Sequence, residues 1–202
     1  MENKRVFNLI LLGDPASGKA TQAARLVKKY GLYDLDMGRE LRLPSVRKAY
    51  DYKRTTAIGK LTPTGVYRRI FRRLTLNVPK HRGILFDGHP KMIGEAKFLE
   101  KLLRRIGREN PLFLYINVPL QETLHRVARG RRYGLKKIVR DDDRQIGLRN
   151  RARYYRTQIA RVVKFFKSRY RFKRISGIGT RDEVFRRIVR FVEANIGKEG
   201  AR

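Results

Sequence analysis

The segment Gly13-Asp-Pro-Ala-Ser-Gly-Lys-Ala-Thr21 lies near the amino terminus and directly follows the apolar run Val6–Leu12. Such a run is typical of a buried strand, and the helical spacing of apolar residues from Ala20 to Val27 predicts a helix after it. Glycines let a backbone bend around an anion, and a helix start presents unpaired N–H groups to it. The spacing Gly-x4-Gly-Lys therefore predicts a phosphate-binding loop in which Lys19 supplies a positive charge. An ordinary strand-to-helix turn with an exposed lysine is the less favoured interpretation.

Further apolar runs predict the rest of a sheet. They predict strands at Ile84–Phe86, Leu112–Val118 and Phe172–Ile175, and a short fifth strand at Tyr33–Leu35. Segments with helical spacing lie between them, so we expect an α/β fold with a doubly wound parallel sheet of about five strands. No Gly/Ser-rich linker divides the 202 residues, which predicts one domain over 1–202. Ligands of such sheets bind at the carboxyl ends of the strands, where the loop lies.

The composition is strongly basic. Fifty Lys and Arg residues stand against eighteen Asp and Glu residues, which gives a net charge of +32. The charge is spread over the whole chain, so it is either a solvated basic surface or a surface that contacts nucleic acid or ribosomes. We expect RNA or DNA to bind without sequence preference at low salt and to be mostly released at physiological salt.

The composition also excludes several classes of protein. The chain has no cysteine, which excludes a disulfide scaffold and a cysteine-based metal site, and no zinc is expected. No apolar run is long enough to span a bilayer, and the first residues lack the apolar stretch of a signal peptide. A cytoplasmic monomer without a membrane partner is the expectation.

Five motifs, in the same order along the chain, resemble those of adenylate kinases and related nucleoside monophosphate kinases. They are Gly18-Lys-Ala-Thr-Gln22, Leu41-Arg42 within Asp36–Arg42, Gly59-Lys-Leu-Thr62, Asp87-Gly-His-Pro-Lys91, and Asn117-Val-Pro119 followed by Arg126, with Arg140, Asp142, Asp143 and Arg151 fitting the far side of a lid. The resemblance extends from about Asn8 to Ile188. It implies reversible phosphoryl transfer from ATP to a nucleoside monophosphate, most directly AMP, with Mg²⁺ as cofactor.

The resemblance also implies a set of site residues. The set that would bind ATP comprises Gly13, Ala16, Ser17, Gly18, Lys19, Ala20, Thr21, Arg131 and Gly179. The set that would bind AMP comprises Met37, Arg42, Lys60, Leu61, Thr62, Gly88, His89, Pro90, Lys91, Glu95, Arg140 and Arg151. The catalytic set comprises Lys19, Lys91, Arg126, Arg140 and Arg151. Asp87 would hold magnesium through water.

Two small insertions accompany the domain in this interpretation. An acceptor-nucleotide insertion of helical character spans about 36–76, and a short lid spans about 131–141. Arg129, Arg131 and Arg132 compete for one lid position, because Gly130 is displaced by one residue from the family pattern. His89 replaces the usual phenylalanine and is expected to pack the turn.

Four further residues depart from the family pattern. Ala20 replaces a glycine, and Lys91 replaces an arginine, which keeps the charge but loses the bidentate fork. Glu95 replaces a glutamine that reads the acceptor base, and Met37 replaces a threonine. Glu95 either caps a helix, with AMP as the acceptor, or shifts the preference toward GMP or CMP. A second hypothesis is a nucleic-acid- or ribosome-associated binding protein on the same fold, with weak or no turnover.

Overall fold

Five parallel strands form a single sheet. The computed structural model describes residues 6–48, 51–58, 60, 62–132 and 155–196. The strands are β1 (Leu9–Gly13), β2 (Tyr33–Leu35), β3 (Ile84–Asp87), β4 (Leu112–Asn117) and β5 (Phe172–Ser176), and their order in the sheet is β2-β3-β1-β4-β5. The predicted α/β class is confirmed. The first strand begins at Leu9 and not at Val6, because pairing with β3 and β4 begins there and Val6 is exposed.

Helices connect the strands. They are α1 (Lys19–Tyr30), α2 (Met37–Glu40), α3 (Pro44–Arg47), α4 (Thr64–Leu76), α5 (Ile93–Arg105), α6 (Leu120–Arg132), α7 (Ala160–Lys167) and α8 (Arg181–Asn195). A 3₁₀ turn, Thr56–Ile58, precedes α4, and a π-helical turn, Tyr155–Ile159, leads into α7. Within the described ranges, no helix combines the length and the apolar composition needed to cross a membrane.

Side chains of β1 alternate between two cores because successive residues of a strand point to opposite faces. Ile10 and Leu12 pack with Phe71 of α4 and Phe166 of α7 on one face. Leu9 and Leu11 pack with residues of α1 and α8 on the other face. The sheet is therefore covered on both sides, with α4, α5 and α7 in one layer and α1 and α8 in the other.

The strand order places the switch point of the sheet at β1. The chain runs from β1 outward to β2, returns to β3 on the same side, and then crosses to β4 on the other side. A crevice forms beyond the carboxyl end of β1, between β3 and β4, and is the usual ligand position in open α/β sheets. Helices α1, α5 and α8 begin shortly after β1, β3 and β5, so their amino termini lie at this same edge.

Several sequence predictions fall outside the described residues. Leu61, Arg140 and Arg151 are among them, as is the part of the predicted lid beyond Arg132. The predicted acceptor-nucleotide insertion, 36–76, contains α2, α3, the 3₁₀ turn and α4. Its role stays a prediction.

Candidate active site

The loop after β1 approaches the end of β4 very closely. A Cβ atom at Gly13 would lie 2.9 Å from the carbonyl oxygen of Ile116 and 2.8 Å from Ser17 Oγ, so a side chain does not fit there. Ala16 and Gly18 both have left-handed backbone conformations, with φ of 58° and 82°. The positive φ at Ala16 is unusual for a residue with a Cβ atom. The loop thus curves tightly between the strand and α1, as the glycine spacing predicts.

Asp14 fixes this loop to β4. Its carboxylate accepts a hydrogen bond from the hydroxyl of Tyr115 at 2.5 Å and another from the backbone N–H of Val118 at 2.7 Å. The backbone N–H of Asp14 also donates to the carbonyl of Ile116 at 3.0 Å. This anchor was not predicted from the sequence. An aspartate directly after a predicted strand and a tyrosine inside a neighbouring strand were the available signals.

Ser17 lies inside the curve of the loop. It is 3% exposed, and its Oγ atom has no hydrogen-bond partner among the described residues. A buried hydroxyl without a partner is unfavourable unless a ligand supplies one. The left-handed backbone, the orphaned hydroxyl and the start of α1 suit a phosphate group in this curve.

Lys19 joins the loop to the end of β3. Its ammonium group forms an ion pair with Asp87, and both side chains are largely buried. It also lies against Gly88, where a Cβ atom would be 2.9 Å from Lys19 Nζ and 3.1 Å from Lys19 Cε. The backbone N–H of Gly88 donates to the carbonyl of Leu11, which ties this corner to β1. Two predicted motifs therefore meet at one point.

The acceptor-side segment lies next to the same corner. Asp36 caps α2 by accepting a hydrogen bond from the backbone N–H of Arg39 at 3.2 Å. A Cβ atom at Gly38 would lie 3.0 Å from Asp36 Oδ1 and 3.3 Å from Arg42 Nη1, which places the Arg42 guanidinium close to Asp36. Burial alone would raise the pKa of Asp36. The positive charges of Lys19 and Arg42 and the hydrogen bond from the backbone N–H of Arg39 outweigh burial, so the pKa of Asp36 is lowered.

Asp87 is the predicted magnesium residue. It is 7% exposed at the carboxyl end of β3. Within the described part of the chain, no group of three or more His, Cys, Asp or Glu residues could hold a metal ion. One carboxylate beside a phosphate-binding loop fits Mg²⁺, which keeps several waters and takes its other ligands from substrate phosphates.

His89 packs the turn after β3, as predicted. Its Nε2 lies 2.9 Å from the carbonyl oxygen of Leu35, and its Nδ1 lies 3.2 Å from the hydroxyl of Tyr67. Because a carbonyl only accepts, Nε2 carries the proton and Nδ1 accepts from the tyrosine. Burial lowers the pKa of His89 to about 3, so the imidazole is neutral. It packs edge-on against Phe71 and Phe86.

Glu95 caps α5. Its Oε2 atom accepts hydrogen bonds from the backbone N–H groups of Lys91 at 2.7 Å and Met92 at 3.3 Å. It is 3% exposed, and burial raises its pKa although those two N–H groups act in the opposite direction. These are the contacts of a helix cap, one of the two roles predicted for Glu95 from the sequence. A base-reading role for Glu95 stays a prediction.

The other acceptor-side residues differ in exposure. Met37 is buried in the core beside α4, while Lys91 is half-buried next to the turn. Thr62 is buried and Lys60 is exposed. Burial of Met37 explains why a methionine is accommodated where the family pattern has a threonine, because the side chain extends the hydrophobic core.

Arg126 of α6 connects the phosphate loop to the loop after β5. It donates hydrogen bonds to the carbonyl oxygens of Ala16 at 3.3 Å and Gly177 at 2.9 Å, and it pairs with Glu122 at 2.6 Å. Gly179, in that second loop, has a left-handed φ of 108°. The predicted ATP-binding residues Ala16 and Gly179 therefore lie in neighbouring loops at the carboxyl edge, and the predicted catalytic residue Arg126 links these loops from α6.

Comparisons with known proteins agree with this geometry. The model of the adenylate kinase family matches residues 11–171. The adenylate kinase of Phocaeicola vulgatus is 31% identical over 193 residues, covering 93% of this chain and 99% of the relative. Those of Thermodesulfovibrio yellowstonii and Stenotrophomonas maltophilia are each 30% identical, covering 93% and 91% of this chain and 99% and 97% of the relatives. The chain therefore belongs to the adenylate kinase family and is an ATP-dependent nucleoside monophosphate kinase, a phosphotransferase with a phosphate group as acceptor.

Proposed function

We propose that this kinase uses AMP as its principal acceptor and forms two ADP from ATP and AMP. The observation that carries the proposal is the convergence at Lys19. Its ammonium group pairs with Asp87, lies against Gly88 and acts on Asp36, which in turn is close to Arg42. A donor-side cation is thus held beside the segment that would bind the acceptor phosphate. That arrangement suits two nucleotides bound in line.

The chemistry needs no strong general base, because the attacking group is already an anionic phosphate oxygen. Catalysis then depends on positioning and on neutralising the charge of the transferred group. In this proposal Lys19 and the loop N–H groups bind the donor phosphates, and Arg42 and Lys91 bind the acceptor phosphate. Arg126 orients the loop through Ala16. Magnesium, held by Asp87 through water, would supply further charge neutralisation when bound.

Family resemblance alone supports the remaining roles. Arg140 and Arg151 would act on the transferred group, and Arg131 and Gly179 would act on the donor nucleotide. The acceptor-nucleotide insertion at 36–76, the short lid, a monomeric state, a cytoplasmic location and the lack of zinc belong to the same proposal. A steady-state assay of ATP with AMP, CMP, GMP and UMP tests the proposal directly. A preferred acceptor other than AMP would contradict it, and failure of all four to turn over would favour the binding-protein hypothesis.

Lys91 provides a test of the acceptor-phosphate role. We expect Lys91→Ala to lower kcat/KM for AMP by on the order of 10²-fold, the usual scale for losing a positioned charge. Lys91→Arg should keep or raise it, since arginine restores two parallel donors. Steady-state kinetics with AMP varied measures both. Lys97→Ala, which removes an exposed charge on α5, is the matched control. Normal kinetics in Lys91→Ala would remove Lys91 from the site.

Glu95 separates a helix cap from a base-reading residue. The contacts with Lys91 and Met92 lead us to expect that Glu95→Gln changes the ratio of AMP to GMP turnover by less than about twofold and alters stability by about 1 kcal/mol. Glu183→Gln is the matched control, because Glu183 occupies the same capping-box position in α8. A gain on AMP relative to GMP equivalent to ~1–3 kcal/mol, the scale of one mispaired buried group, would assign base reading to Glu95.

A further inference from the structure

The outer surface of α4, α5 and α7 is densely basic. Helix α4 contacts α5 and α5 contacts α7, so the three form one continuous layer. Four exposed basic residues lie on α4, four on α5 and three on α7. They are Arg68, Arg69, Arg72, Arg73, Lys97, Lys101, Arg104, Arg105, Arg161, Lys164 and Lys167, and together they are called the basic face below.

The basic face has too few acidic neighbours to compensate its charge. Helices α4 and α7 contain no Asp or Glu, and α5 contains only Glu95 and Glu100. Glu95 is buried at the cap, and Glu100 pairs with Arg169 at 3.3 Å. Within the ranges that the structure describes, no residue of the basic face forms an ion pair. Neighbouring cations repel one another, so the layer favours an anionic partner.

The opposite layer differs in its ion pairs. Arg25 of α1 pairs with Asp182 of α8 at 2.7 Å, and Lys29 pairs with Glu193 at 3.2 Å. Arg25 also stacks over the ring of Phe185 at 4.1 Å. Several of its charges are thus neutralised within the protein. Unpaired cations such as Lys28, Arg186 and Arg190 remain on that layer, but among the described residues only the basic face combines eleven exposed cations with no ion pair at all.

The size and chemistry of the basic face fit a double-helical polyanion. Helices of 13 residues, such as α4 and α5, are about 20 Å long, and packed helices lie about 8–10 Å apart. Nucleic acid duplexes present one phosphate charge per ~1.7 Å of axis. Seven of the eleven residues are arginines, whose planar guanidinium matches phosphate oxygens.

Two other partners fit less well. Single-stranded bases need exposed aromatic side chains to stack on, whereas Phe98 and Phe165 in this layer are half-buried. Arg68 covers the Phe98 ring at 5.5 Å. A membrane surface favours exposed large apolar side chains beside the charges, and on α4, α5 and α7 only Leu76 is of this kind. The basic face therefore suits a nucleic acid that it contacts through phosphates and not through bases.

We propose that the basic face binds the phosphate backbone of double-helical nucleic acid without sequence preference. The face lies along the side of the sheet, while the phosphate loop lies at its carboxyl edge. Duplex binding and nucleotide turnover therefore use different residues. The proposal does not depend on the choice of acceptor nucleotide.

The test compares two variants of the full chain that lose equal charge. The face variant replaces Lys101, Arg104, Arg161 and Lys164, which lie outside the predicted acceptor-nucleotide insertion, by glutamine. The control variant replaces Lys28, Lys173, Arg186 and Arg190, which are exposed elsewhere, by glutamine. Fluorescence anisotropy measures binding of labelled RNA and DNA duplexes of roughly 20 base pairs between ~50 and ~200 mM salt, with and without saturating ATP. Thermal unfolding shows whether each variant is folded, and the rate of phosphoryl transfer from ATP to AMP shows whether it is active.

We expect the face variant to bind duplex at least about tenfold more weakly than the wild type. The magnitude of its slope of log K against log salt should be smaller by about 2–4. The duplex affinity of the control variant should change by less than about threefold. Both variants should keep wild-type kinase activity, and ATP should not displace the duplex. Equal RNA and DNA affinity would assign recognition to the phosphates alone, and RNA preference would add the 2′-hydroxyl. Equal losses in both variants, displacement by ATP, or tighter face-dependent binding to anionic lipid vesicles than to duplex would overturn the proposal.

Discussion

Replacing Lys19 by alanine is expected to lower turnover by on the order of 10²–10³-fold, because a preorganised cation at the transferring phosphates contributes on this scale. Lys19 begins α1, contacts Asp87 and lies against Gly88, so its ammonium group is held where the donor and acceptor segments meet. Single-turnover and steady-state kinetics with saturating AMP measure the loss. Turnover within a few-fold of wild type would refute the phosphate-loop assignment.

The matched control for this variant is Lys28→Ala. Lys28 lies on the same helix and is exposed, so its removal changes the net charge equally without touching the loop. Lys19→Ala also leaves the Asp87 carboxylate buried without its partner, which should cost about 1–3 kcal/mol of stability. The double variant Lys19→Ala/Asp87→Asn should recover much of that stability but none of the turnover. Recovery of turnover would mean that Lys19 acts only by neutralising Asp87.

Gly88→Ala is expected to lower turnover by on the order of 10²-fold through displacement of Lys19, a loss typical of misplacing a reacting group by about 1 Å. The new Cβ atom would meet Lys19 Nζ at 2.9 Å, and the flexible lysine must then move away from Asp87. The φ of 71° at Gly88 adds a stability cost of about 1–2 kcal/mol for a residue with a side chain. Kinetics and chemical denaturation measure the two effects separately.

A double-mutant cycle separates displacement of Lys19 from direct damage to the acceptor side. If Gly88→Ala acts through Lys19, its effect on turnover should shrink to a few-fold in the Lys19→Ala background. Gly65→Ala is the control, because a Cβ atom there meets no atom within 4 Å beyond its own chain neighbours and helix backbone, and alanine suits a helix. Independent, multiplicative effects of Gly88→Ala and Lys19→Ala would show that Gly88 contacts the nucleotide itself.

The sheet and the phosphate loop were predictable because their signals are local. Apolar runs such as Leu112–Val118 identify buried parallel strands, and the loop spacing around Lys19 is specific. The extents of strands were less predictable, since pairing decides where a strand begins. Val6 continues the apolar run in the sequence, yet β1 begins only where β3 and β4 both pair with it.

Contacts between distant segments were not predictable. The hydrogen bonds from Tyr115 and Val118 to Asp14 join residues about a hundred positions apart, and no local pattern signals such a pair. Glu95 had two interpretations because both a helix cap and a base contact require an acceptor, and only the position of the Lys91 N–H group shows the cap. The basic face was likewise hidden, because net charge does not reveal which cations have partners.

The common direction of the helices has a kinetic consequence. Helices α1, α5 and α8 all begin at the carboxyl edge, so the positive ends of their dipoles point toward the approaching nucleotides. Together with a net charge of +32, they create an attractive field that extends beyond contact distance. Nucleotides, as small anions, are then guided to the crevice before they touch it. Raising the ionic strength should therefore lower the association rate of nucleotides more than it changes their dissociation rate.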